Sequence, residues 1–225
     1  MGKFQNYKEI IIKGRVRACL EFIKQENLKG IVLVDVGSSN GFFISKIINL
    51  GVKKAIGVDP NKKAVLFAKD KVKKANFLVS TADSLPIKNE SADLVLMLDV
   101  IEHVPKNGEI DALKEAKRIL KKGGVLLLTT PYDYFFSNIL DPAWYLGHRH
   151  YSLIKISKLV EKAGFRVQKL EIKGGLITSI HLIWLYISNW ILAGHFGPKL
   201  IEPYYDRSFD RSGVNTIFLR GVKNN

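Results

Sequence analysis

From residue 31 to residue 130 the chain alternates between short apolar runs and stretches of helical periodicity, and few architectures accept that order. Ile31–Val36, Lys54–Val58, Asn76–Ser80, Asp93–Leu98 and Val125–Thr130 read as strands. They are almost continuously apolar, as strands are when helices cover both faces of a parallel sheet. Gly41–Leu50, Pro60–Val72 and Ile110–Leu120 read as the intervening helices, with a short turn near Ser84–Ile87, and Gly123–Gly124 is placed to cap the third helix. A helix from Tyr7 to Gln25, within an N-terminal segment 1–27, precedes the first strand. A helix at Leu153–Ala163 and strands at Arg166–Ile172 and Thr216–Val222 follow. The expected fold is α/β: a doubly wound, mostly parallel, Rossmann-like sheet of seven strands, the last antiparallel, with a hydrophobic helical insertion over 174–213 ahead of it. At 225 residues with no Pro/Gly/Ser-rich linker, a single domain over 1–225 is expected.

In open α/β sheets ligands bind outside the carboxyl ends of the strands. Two such ends carry chemistry. Asp35-Val36-Gly37-Ser38-Ser39-Asn40-Gly41 is a glycine-bearing turn between strand and helix, where backbone can approach a ligand and helix N-terminal amides point at it. The second strand ends at Asp59-Pro60, where a nucleotide fold places an acid on the ribose hydroxyls; Asp59 is also placed to cap the next helix with Pro60 in its first turn.

Taken in order, DVGSSNG, GVDP, Thr81-Ala82-Asp83-Ser84-Leu85-Pro86, DLVLMLDVIEHV and RILKKGGVLLLTTP resemble the class I S-adenosylmethionine (SAM)-dependent methyltransferases. Within these the chain is similar to the ubiquinone and menaquinone biosynthesis group, over roughly Leu28 to Val167. The resemblance implies SAM as cofactor. It implies that Asp35, Gly37 and Gly41 form the loop around the methionine moiety, that Asp59 holds the ribose, and that Asp83 accepts from the adenine amino group beside the backbone of Ala82. Asp99 is implied near the SAM amino end and the reacting methyl. Ser39 stands where the family most often has its middle glycine, which puts a side chain and a hydroxyl close to the ligand. A nicotinamide-dependent oxidoreductase fits less well, because the third glycine of G-x-G-x-x-G is out of place and Asp83 is left without a role.

Methyl transfer needs a base only when the acceptor is a neutral hydroxyl or an acidic carbon. His103, His148 and His150, with Glu102, are candidates because they lie after the fourth and fifth strands, and histidine titrates near neutral pH. A structural hydrogen bond is the competing reading for His103 and Glu102. Metal ligation by His148 and His150 needs further ligands that the sequence does not display, so no metal is expected. Cys19, the only cysteine, sits in an apolar helical pattern and reads as a core residue; it excludes an intrachain disulfide and fits a reducing cytoplasm.

The acceptor side is marked by aromatics over Pro131–Tyr151 and by a stretch, Gly174 to Pro198, without one Asp, Glu, Lys or Arg. Its core, Leu176–Ala193, reads as a helix that lies in a membrane interface, lines an apolar pocket as a lid, or forms a homodimer contact. A true span is disfavoured because the chain must return to the sheet. Both leading readings favour a small hydrophobic or lipid-linked acceptor methylated on oxygen or carbon, and a cytoplasmic protein that can sit peripherally on the inner face of a membrane. The net charge of +14 fits a solvated lysine-rich surface, an anionic membrane or nucleic acid. An RNA methyltransferase is the first rival, although Asp99-Val100-Ile101-Glu102 replaces the (N/D)PP(Y/F)-type motif. A non-catalytic SAM-binding protein docked to a membrane or partner is the second. The stretch Tyr204–Arg211 reads as a salt-bridged surface loop.

Overall fold

The computed structural model describes residues 7, 10, 12–145, 147–190 and 202–224, with the backbone alone for 142, 143, 182 and 185–190. Among these, strands β1 (Val32–Val36), β2 (Lys54–Asp59), β3 (Asn76–Val79), β4 (Ala92–Leu98), β5 (Leu120–Pro131), β6 (Phe165–Lys173) and β7 (Thr216–Lys223) form one sheet in the order 3-2-1-4-5-7-6. β7 runs antiparallel to both neighbours and every other pairing is parallel, as expected from the sequence. β6 therefore points the same way as β5, so the segments after both leave from the carboxyl edge.

Period-two alternation sorts the β1 side chains onto two cores. Leu33 packs with Ile23 of α1 (Gly14–Lys24), Ile44 of α2 (Phe42–Ile47) and Val65 of α3 (Lys62–Lys71). Val34 and Val36 pack on the opposite face with Leu113 of α4 (Glu109–Ile119) and Ile156 of α7 (Leu153–Lys162). Cys19 is buried in the first of these cores, where burial pushes its thiol up and keeps it unreactive.

Several element ends differ from the sequence reading, each for a stated reason. The first helix is confined to Gly14–Lys24 rather than Tyr7–Gln25. Its N-cap residue, Lys13, gives no side-chain cap; instead Gly14 N–H donates to Asp206 Oδ1 at 2.6 Å and Arg15 N–H to the Tyr205 hydroxyl at 3.3 Å, both from α9 (Glu202–Ser208). α3 starts at Lys62 with Asn61 as its N-cap, which frees Asp59 from that task. Gly123–Gly124 caps nothing. α4 ends at Ile119, Leu120 is already extended and pairs with Ala92, and pairing resumes at Val125–Leu94, so 121–124 bulge from the sheet edge with Gly123 at φ +70°.

The long segment after β5 is broken by two short helices, α5 (Phe135–Ile139) and α6 (Pro142–Tyr145). The uncharged segment forms α8 (Leu176–Trp190); residues 191–193 of the expected helix lie outside the described residues. Among the described residues no helix is long and apolar enough to cross a membrane. Tyr204–Arg211 is mostly helical rather than a loop, and it is salt-bridged: Arg17 of α1 reaches Asp206 at 2.8 Å and Asp210 at 2.7 Å.

Gly41, which opens α2, combines φ +81° with a crowded site: a Cβ there would stand 2.8 Å from Phe77 Cζ and 3.0 Å from the Ala68 methyl. Gly41→Ala is expected to cost about 1–3 kcal/mol of stability from overpacking and backbone strain. Urea unfolding checks this; an unchanged midpoint would mean that the loop relaxes freely.

Candidate active site

The turn after β1 and the tip of β2 are built as one object. Gly37 N–H and Ser38 N–H both donate to Val58 O, at 2.7 and 3.0 Å. Asp59 then clamps them: Oδ2 accepts from Ser39 N–H at 2.8 Å and Oδ1 from Asn61 N–H at 2.8 Å. Gly37 sits at φ +76°, and a Cβ there would stand 2.4 Å from Val100 Cγ2, so only glycine lets the turn after β1 approach the segment after β4 this closely. Beside this clamp lies a cavity of about 360 Å3. It is walled by the tips of β1 (Gly37), β2 (Asp59), β3 (Thr81, Ala82, Asp83) and β4 (Asp99, Val100), and closed by His103, Val104 and Pro105.

The sequence-derived residues divide into two groups. Gly37, Asp59, Ala82, Asp83, Asp99 and His103 line the cavity. Asp35, Ser39 and Gly41 do not. Gly41 serves packing. Ser39 is exposed with φ +46° and gives its backbone N–H to Asp59. Asp35 is buried behind the turn at 2% exposure, and its Oδ2 has no hydrogen-bond partner. Burial, and secondarily the charge of Asp59, push its carboxyl up to about 8. Ser38 Oγ is a second buried orphan in the same turn. Two unsatisfied polar groups beneath a glycine-shaped cleft fit a ligand, or its bound water, that completes them.

Asp99 follows β4 with φ +54°, a strained conformation for a residue with a side chain. Thr129 holds it in place: its carbonyl accepts from Asp99 N–H at 3.0 Å, and its hydroxyl donates to Asp99 Oδ1 at 3.0 Å. Arg15 of α1 reaches Asp99 Oδ2 at 3.1 Å, and the acid's proximity keeps the guanidinium charged. Sequence reasoning missed Arg15; its partner lies on a distant strand, and no local pattern announces the contact. Glu102 is buried, accepts from Thr130 Oγ1 at 3.1 Å, and leaves Oε1 without a partner. Burial first, then the Asp99 charge, raise its carboxyl.

Of the three histidines, His103 is on the cavity wall and His148 lies behind it, with Nε2 3.1 Å from His103 Nε2. Burial first, and the His103 charge next, lower the His148 ring below its usual range. His150 is not at the cavity. It is buried, with Nδ1 2.6 Å from Asn138 Oδ1 and Nε2 3.1 Å from Asp141 Oδ2, which leaves it no access to a donor in this cleft.

Residues 34–128 match a family model described as a methyltransferase domain. Over 113 residues, 47% of its length, the chain is 33% identical to a tRNA U34 carboxymethyltransferase of Campylobacter fetus, of which that segment covers 38%. Over 129 residues, 55% of its length, it is 31% identical to a ubiquinone biosynthesis O-methyltransferase of Pelagibacter ubique, covering 50% of it. The chain thus spans about half or less of the length of these curated relatives. Among solved structures, a geranyl diphosphate C-methyltransferase from Streptomyces coelicolor superposes with a TM-score of 0.66 at 13% identity, over 92% of this chain and 77% of that one, a likeness of fold. The motif match, the sheet order and the cleft together liken residues 34–128 to a methyltransferase domain of the class I SAM-dependent kind.

The raised Asp35 carboxyl has a consequence for stability. Between about pH 4 and about pH 8 the unfolded chain has lost this proton while the native state keeps it, so stability falls as pH rises through that window and levels off above it. Asp35→Asn should flatten part of that decline in urea midpoints taken across the window. Parallel profiles for the two proteins would remove Asp35 as a contributor.

Proposed function

We propose that the chain transfers a methyl group from SAM to oxygen or carbon of a small hydrophobic or lipid-linked acceptor delivered at the carboxyl edge of the sheet. The observation that carries this reading is the orientation of α8. Its polar residues Thr178, Ser179 and His181 are buried, with His181 stacked on Tyr205 at 4.2 Å, while Leu176, Ile180 and Trp184 are exposed. Phe135, Phe136 and Ile139 of α5 and Tyr145 of α6 extend the exposed apolar surface at the same edge. A helix that turns polar side chains inward and apolar ones outward is built to meet an apolar phase or partner. Exposed Lys62, Lys63, Lys106 and Lys155 stand on loops and first helical turns of this edge, as contact with anionic headgroups requires.

Bound SAM supplies a methyl group already activated on a sulfonium. The chain's own part is position and dryness, worth on the order of 7–11 kcal/mol when reacting atoms are held in line. Asp59 keeps acceptor capacity for ribose hydroxyls beyond its two backbone bonds, and Asp83 and Ala82 take the base. Asp99 meets the cationic amino acid end, where Arg15 fixes its carboxylate, and Asp35 backs the turn from behind. Val100, Val104 and Pro105 exclude water. For a hydroxyl acceptor, His103 takes the proton.

A second reading, RNA as acceptor, draws on the charge of +14 and on the name of the Campylobacter relative. Incubation with methyl-labelled SAM and separated lipid, small-molecule and RNA fractions decides between them. Label is expected in the lipid or small-molecule fraction, and label confined to RNA would overturn the proposal. In sedimentation with anionic vesicles, Phe135→Asp with Ile180→Asp should cut membrane binding at least five-fold. Undiminished binding would count against the α5–α8 face, and a change from dimer to monomer instead would mark that face as a contact between two copies.

A further inference from the structure

Beyond the donor cleft, a second constellation of chemically capable side chains assembles among the described residues. One ring nitrogen each of His148 and His150 and a carboxylate oxygen of Asp141 lie within 4.8 Å of one another. The three come from the segment after β5, and neither the donor clamp nor the acceptor surface uses Asp141 or His150.

The hydrogen bonds around His150 decide what its ring can do. Asn138 Nδ2 donates to Asp133 Oδ1 at 2.6 Å, which orients the amide so that Asn138 Oδ1 faces His150 Nδ1 at 2.6 Å. A carbonyl oxygen accepts only, so Nδ1 carries the proton. The other nitrogen, Nε2, then faces Asp141 Oδ2 at 3.1 Å. In the neutral ring that is a lone pair set against a carboxylate, an arrangement that requires a cation, either a second proton or a metal ion. Donor atoms that share a tetrahedral ion at bonds of about 2.0–2.1 Å stand about 3.3 Å apart, and this pair is at 3.1 Å with the His148 nitrogen within 4.8 Å of both atoms.

His148 repeats the pattern. Its Nε2 is engaged by His103, while Nδ1 is buried without any hydrogen-bond partner. Each histidine thus has one nitrogen tied to an outer partner and the other left over, which is how ligating histidines are held in register.

We propose that Asp141, His148 and His150 bind a divalent first-row ion of the zinc class. Two imidazoles and one carboxylate suit such an ion and not calcium or magnesium, which prefer all-oxygen shells. Three protein ligands leave a coordination position open. His103 touches His148 and also lines the donor cleft, so the ion sits next to the place where methyl transfer is proposed. Its role there rests on that proposal: positive charge beside an acceptor hydroxyl favours the deprotonated, nucleophilic form. The site itself does not depend on that reading.

The test is titration of EDTA-treated full-length protein with Zn2+ against a chromophoric chelator, and with Co2+ for its visible ligand-field bands. One ion per chain is expected. His148→Ala, at a half-buried position, should weaken binding at least ten-fold while circular dichroism and Tm hold. Asp141→Asn, which keeps the side-chain shape, should do the same. Absence of binding, or binding equal in the wild type and both variants, would overturn the site and identify His150–Asp141 as an imidazolium–carboxylate pair. SAM affinity of the EDTA-treated protein, measured separately, reports on the donor cleft, so failure of the metal site and failure of the methyltransferase reading give different results.

Discussion

The site depends on one carboxylate. Asp59 joins the tip of β2 to the turn after β1 through Ser39 N–H and to the start of α3 through Asn61 N–H, and both bonds are 2.8 Å. Hydrogen bonds to a charged acceptor are each worth about 1.5–3 kcal/mol, enough to fix a loop that contains a residue with φ +46°. With the loop fixed, the Gly37 turn can pass within a methyl's width of Val100 and leave the cleft open between β1 and β4. Without that clamp the glycine turn would have no defined position relative to the ribose end of the cleft.

Around this clamp the protein tolerates acids that are poorly satisfied in the free state. Asp35 and Glu102 are each buried with an oxygen lacking a partner, and Asp99 is held in a strained backbone geometry by Thr129 and Arg15. Unsatisfied acids cost free energy in the free protein and gain it back when a cationic ligand arrives, so affinity and stability are set against each other here. Arg15 ties the N-terminal helix to Asp99 of the cleft, and Arg17 on the same helix anchors it to α9 through Asp206 and Asp210. The insertion between β6 and β7 is thereby coupled to the donor cleft through α1.

The opposite side of the cleft is governed by solvation. Over its described side chains α8 turns Thr178, Ser179 and His181 inward, where Thr178 Oγ1 meets Ser208 Oγ at 3.3 Å and His181 stacks on Tyr205, and leaves Leu176, Ile180 and Trp184 outside. A helix surrounded by water would gain by turning over. Its orientation is therefore consistent with a surface that is covered in use, and α5 and α6 add their exposed aromatics to the same edge.

The strand–helix order, the sheet's parallel core and the clamp residues Gly37 and Asp59 are determined locally: period-two burial, a glycine where φ must be positive, and an acid at a strand end are all properties of short windows. What differs from these local signals, or goes beyond them, has a different cause. The start of the first helix is set by α9, which supplies the partners for its free amides; Gly123–Gly124 follows the β4–β5 register; and Arg15–Asp99 and the meeting of Asp141 with His148 and His150 join residues that no periodicity links. The 174–213 segment announces by composition alone that it is apolar. Which face of α8 points outward depends on what Tyr205 and Ser208 offer it, and that is decided only when the chain has closed on itself.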